Sequence, residues 1–149
     1  MSTKFLKYSV VLLFISVCLS SCEKDNDDNN IVLSQDITGC WINPEYKEDS
    51  EGKSIMRYEK TKSLPNNSYG VEFFDEGKLI ERKSAGWCGT PPVTYTNYQG
   101  NWQVQENGDI KIDVAYWGGM EHSVWKIIGV TNKILTIEVV SMEYETTFE

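Results

Sequence analysis

Four cysteines and one histidine are the residues of this 149-residue chain with the most reactive side chains, and their spacing sets what they can do. Cys40, Cys88 and His122 with one carboxylate would make a tetrahedral zinc set. Such sites are signalled by close-spaced cysteine pairs, and neither Cys40 nor Cys88 has a neighbour of that kind. A serine nucleophile would need His122 as its base, but no Gly-x-Ser-x-Gly turn accompanies it, and a lone histidine on a strand is ordinarily a surface or satisfied core residue. Glu72, Asp75, Glu76 and Glu81 gather near one expected hairpin, where two carboxyl groups could act on a glycosidic bond; charges at a hairpin tip are ordinarily just solvated. Asp25, Asp27, Asn29 and Asp36 fall at the first, third, fifth and twelfth places of an EF-hand-like loop. The sixth place is Asn30 instead of glycine, and the twelfth lacks the usual glutamate. Gly118-Gly119 is followed by no Lys-Ser or Lys-Thr, so it does not read as a phosphate loop. The expectation is a chain with no catalytic residue, no metal and no cofactor.

The remaining cysteines belong to the start of the chain. Lys4 and Lys7 supply a positive segment, Val10 to Val17 a short apolar one, and small residues precede Cys22. The uncharged stretch from Tyr8 to Cys22 falls short of the roughly 20 apolar residues needed to span a bilayer, so a cleaved leader is expected. Leu19-Ser20-Ser21-Cys22 resembles the lipobox of bacterial lipoproteins. The resemblance implies cleavage before Cys22, a diacylglycerol on its thiol and a further acyl chain on its new amine. Each buried methylene contributes about 0.8 kcal/mol, so two or three chains hold a protein stably on a membrane. Residues 1–21 are then the leader, 22–35 the lipidated Cys22 and an acidic tether, and 36–149 one domain. Glu23 to Asn30, reading EKDNDDNN, has too little apolar surface to offset its ordering entropy. Acidic runs after the lipidated cysteine are similar to signals that send some Gram-negative lipoproteins to the cell surface, which implies an outer-membrane location reaching the exterior. A formal net charge of -8, made more negative once Lys4 and Lys7 leave, excludes a nucleic-acid partner. In an exported chain the Cys40 and Cys88 pair is most simply a disulfide, with roughly 4 kcal/mol from closing the loop between them.

From Asp36 onward the pattern is strands and turns, with no window sustaining a helical period. Ile110, Ile112, Val114 and Tyr116 alternate with Lys111, Asp113, Ala115 and Trp117, and Leu135, Ile137 and Val139 alternate with Thr136 and Glu138. Shorter strands are expected around Trp41, Met56 to Lys60, Tyr69 to Phe74, Lys78 to Lys83, Trp102 to Gln105 and Val124 to Ile128. Asp75-Glu76-Gly77, Asn107-Gly108 and Gly118-Gly119 read as hairpin turns, with further turns at Pro65-Asn66-Asn67 and Thr131-Asn132. About eight strands joined in this way predict an all-β antiparallel meander that protects its edges by closing into a small barrel. A two-sheet β-sandwich satisfies the same alternation.

Ile37-Thr38-Gly39-Cys40-Trp41, the Phe73 to Leu79 hairpin and the Thr131 to Ile137 segment resemble bacterial lipocalin-like lipoproteins. The resemblance implies a Gly39-x-Trp41 that opens the first strand and plugs the barrel floor, and a binding role for the domain. Gly100-Asn101-Trp102 repeats the tripeptide. Trp87-Cys88-Gly89-Thr90-Pro91-Pro92 is the least strand-like stretch, since two prolines remove two backbone donors. With Tyr95 and Tyr98 it gathers aromatic residues suited to anchoring a ligand, or equally to covering the barrel mouth. The function expected is a lipid-anchored binding protein, with Trp87, Tyr95 and Tyr98 at its site and a small apolar, glycan or protein ligand. The alternative is an interaction or inhibitor component with a solid core, and a hydrolase comes last. Five tryptophans and eight tyrosines fill space fast, so the interior volume separates the first two.

Overall fold

The computed structural model describes residues 37–86 and 92–147. Eight strands follow one another there: β1 (Gly39–Glu48), β2 (Ser54–Thr61), β3 (Gly70–Phe73), β4 (Lys78–Ser84), β5 (Tyr95–Val104), β6 (Ile110–Tyr116), β7 (Gly119–Val130) and β8 (Ile134–Thr146). Around the wall they stand in the order β1-β2-β8-β7-β6-β5-β4-β3, closed on itself, with every neighbouring pair antiparallel. The expected barrel forms, and closure rules out the sandwich.

The meander runs unbroken from β3 to β8. The β1–β2 hairpin enters it reversed, with β1 beside β3 and β2 beside β8. Residues 62–69 therefore form a strap that crosses the outer face of β1, where the turn at Pro65-Asn66-Asn67 was expected to make a simple connection. The strap is pinned by Arg82 on β4, whose guanidinium donates to the Pro65 carbonyl at 2.7 Å and to Asn66 Oδ1 at 3.0 Å. Its Leu64 presses close enough that a Cβ on Gly70 would lie 2.9 Å from Leu64 Cδ2 and 2.8 Å from the Trp41 carbonyl, so the site is held to glycine.

Side chains alternate between lumen and wall as the pleat requires. At the lower end, where β1 begins, Trp41 is fully buried and its indole N–H donates to the Ile37 carbonyl at 2.6 Å. Phe73 meets Trp102 and Trp125 edge-on at 5.5 and 6.1 Å, and Tyr58 stacks on Trp125 at 5.8 Å. With Trp41, Ile110, Ile112, Leu135 and Ile137 they form the buried core of the lower lumen. The outer wall carries Arg57, Lys111, Asp113, His122, Glu143 and Glu145. That is the inverse of a membrane-spanning barrel, which turns an apolar band outward.

Candidate functional site

Above the aromatic floor the lumen changes character. β4 sends Leu79, Glu81 and Lys83 inward in alternation, and β7 sends Glu121, Ser123 and Trp125. β4 and β7 are separated by β5 and β6 on the wall, so a contact between them bridges the interior. Lys83 makes that bridge. Its Nζ donates to Glu81 Oε2 at 2.9 Å and to Glu121 Oε2 at 2.8 Å, and it lies 5.9 Å from the ring centre of Tyr98. The three side chains keep only 12, 22 and 10 % of their surface for Lys83, Glu81 and Glu121 respectively.

Burial raises Glu81 above its ordinary carboxylate value and Glu121 adds to the rise, while Lys83 opposes both. Burial alone would lower the Lys83 ammonium, but the two carboxylates outweigh it and hold the group above its usual value. Tyr58, buried below the triad, is pushed far up by desolvation and by Glu81 and Glu121. Two further groups on the inward row of β7 are buried with no hydrogen-bond partner among the described residues: the Ser123 hydroxyl and the Trp125 indole N–H. Tyr116 and Tyr144 pack edge-on at 5.3 Å nearer the upper opening, where Tyr46, Met142 and Tyr144 are exposed.

A pair of buried carboxyl groups, one of them raised, has the elements of glycoside hydrolysis. Here the Lys83 ammonium lies between the two carboxylates, bonded to both, in the place where a sugar ring would have to sit.

A concavity of about 550 Å³ lies on the outside of the wall between Phe74, Lys78, Ile80, Gln99, Asp113 and Met120. Beside it His122 Nδ1 stands 2.6 Å from Asp113 Oδ1, and its Nε2 faces Glu145 at 3.5 Å. Among the described residues no group of three or more His, Cys, Asp or Glu side chains could hold a metal ion.

Of the binding residues expected from the sequence, the two described ones face opposite sides of the wall. Tyr98 points into the lumen and its hydroxyl donates to the Ser84 carbonyl, but Tyr95, three positions earlier on the same strand, faces outward against Tyr69. Neither sits on a loop, because β5 begins at Tyr95. Trp87 and Cys22 lie outside the described residues. Cys40 is a free thiol, buried beneath the strap on the outer face of β1, whereas the β4–β5 connection that carries Cys88 leaves from the opposite end of the barrel. The expected Cys40–Cys88 bond is thus not what this structure holds, and Cys88 itself lies outside the described residues. Of the carboxylates near the β3–β4 hairpin, only Glu81 turns inward; Glu72 faces out beside Cys40, and Asp75 and Glu76 sit on the turn.

Lys83, Glu121 and Ser123 escaped the sequence reading. One signal for them existed: Glu121 and Ser123 share the phase of Trp125 and Ile127, so polar groups stand on what is otherwise the apolar face. No protein-family model, curated protein or solved structure matches the chain.

Proposed function

We propose that this is a lipid-anchored, lipocalin-like binding protein of the cell envelope, held at the outer membrane through Cys22 and taking its ligand in the upper mouth of the barrel. The observation that carries the reading is the Glu81–Lys83–Glu121 triad, set above an aromatic floor and below an exposed rim of tyrosines. Buried charge is costly, and a chain seeking stability alone does as well with apolar residues there. A filled lower lumen leaves no space for a long apolar ligand, so the ligand is small and meets polar groups. A water-facing outer wall fits a domain tethered by lipid.

The test is a fragment library of apolar, glycan and amine compounds screened by NMR against the full chain. Shifts centred on Tyr98, Tyr116 and Tyr144, lost in Tyr98→Ala, support the reading. Fragments that bind only on the outer wall refute it. Acyl labelling that disappears in Cys22→Ala checks the anchor. The second reading, an interaction protein, is favoured by the packed floor together with the outer groove beside Phe74 and Met120.

A further inference from the structure

We propose that the mouth of the barrel recognises an organic ammonium ion, bound against Glu81 and Glu121 under the rings of Tyr98, Tyr116 and Tyr144. This rests on the reading of the mouth as a ligand site and adds the chemical class of the ligand.

Charge gives the first argument. Two carboxylates share one ammonium, so the triad carries one negative charge in excess when both are ionised. The other groups reaching it are phenols: Tyr58 from β2, Tyr98 from β5 and Tyr144 from β8, with Tyr116 of β6 packed edge-on against Tyr144. No second cation among the described residues forms an ion pair with either carboxylate. In a low-dielectric lumen an uncompensated charge is expensive, and it attracts a counter-ion or a proton.

Ser123 gives the second argument, independent of charge. Its hydroxyl is 2 % exposed, stands one inward position below Glu121 and has no hydrogen-bond partner among the described residues. Buried hydroxyls are ordinarily satisfied, and an ammonium N–H aimed down the lumen supplies a donor to its oxygen. The surrounding tyrosine rings present negative faces suited to a cation. An anion is disfavoured, because Lys83 already spends its charge on two carboxylates. A neutral ligand leaves the excess charge where it was.

Proton linkage follows. Burial and Glu121 raise Glu81 while Lys83 opposes them, so as pH falls a proton binds there earlier than on an ordinary carboxyl and neutralises the excess. A bound ammonium ion takes over that task and releases the proton. Affinity therefore rises with pH through the raised Glu81 range.

The experiment is calorimetric titration of the full chain with 2-phenylethylammonium, beside 2-phenylethanol and 3-phenylpropanoate as neutral and anionic counterparts. A charge-assisted hydrogen bond predicts that the ammonium ion binds at least about tenfold more tightly than either. Repeating the titration in buffers of different ionisation enthalpy should show proton release, and Glu121→Gln should remove the preference for the cation. Equal binding of the alcohol and the ammonium ion overturns the inference while leaving a ligand site in the mouth. Failure of the ammonium ion to bind also overturns it, and the fragment screen then decides the broader reading separately. Should Glu121→Gln not fold, the three-ligand comparison on the parent chain is sufficient to decide.

Discussion

Replacing Lys83 with methionine keeps the length of the side chain and removes the ammonium that joins Glu81 to Glu121 across the lumen. Two buried carboxylates would then face each other unpaired, and the cheaper outcome is for one of them to bind a proton. Starting from an ordinary value of 4.5, holding that proton at pH 7 spans two and a half pH units. At about 1.36 kcal/mol per unit the cost comes to about 3.4 kcal/mol, within the range of about 3–5 found when one partner of a buried pair is removed. At pH 5 the same reckoning leaves about 0.7 kcal/mol. The sign follows from linkage: a carboxyl whose folded value is raised favours folding below its unfolded value, and that contribution is lost as pH rises through the folded one. The variant's deficit should consequently grow with pH. Urea unfolding of parent and Lys83→Met at pH 5, 6 and 7 measures it. A deficit that is the same at all three pH values, or absent at pH 7, would show that the triad is not the buried charge cluster described here.

Gly100→Ala should lower stability by about 1–3 kcal/mol in the same assay, because its Cβ would lie 2.5 Å from the Asp113 carbonyl and 2.8 Å from Val114 Cα, backbone atoms that cannot swing aside. Trp41→Ala should cost about 3–5 kcal/mol, since the ring is fully buried and its N–H is bonded to Ile37; a loss under about 1 kcal/mol would deny it the plug role. The hydrogen bond to Asp113 lifts His122 above 6.5, so the pair stabilises the fold below that value and its contribution fades as pH rises through the raised one. An NMR titration of His122 reads this directly, and a value at or below 6.5 contradicts it. Burial pushes the Cys40 thiol up to about 11, with Glu72 adding to the rise, so it should resist alkylation at pH 8 until the protein is unfolded in urea. Rapid labelling of native protein at Cys40 would show that the strap does not cover it.

Much of this barrel was legible in local chemistry. Alternation at Ile110-Ile112-Val114 and Leu135-Ile137-Val139 marked lumen-facing rows, and Asn107 and Thr131 closed their turns as such residues do, each accepting backbone N–H groups within the turn. These signals reside within a few residues, so sequence alone carries them. Strand ends were less legible: β5 begins at Tyr95 and β7 and β8 run well past their apolar cores, because cross-strand pairing extends a ladder through polar residues once a partner is beside it.

What the amino-acid pattern determined by itself is an all-β chain of alternating strands and tight turns, a pattern that a barrel and a sandwich satisfy alike. The order of the strands was decided only in three dimensions, since both the reversed β1–β2 hairpin and a simple meander bury the same faces, and the strap that the observed order requires is tied by Arg82, 17 positions on from Pro65. The candidate site belongs to the same class. Lys83 and Glu121 are polar residues of two strands separated on the wall, and no local period announces that their side chains meet; the diameter of the closed barrel brings the ammonium within 2.8 Å of the carboxylate. Alternation reports which face a residue occupies, while closure determines what stands opposite it.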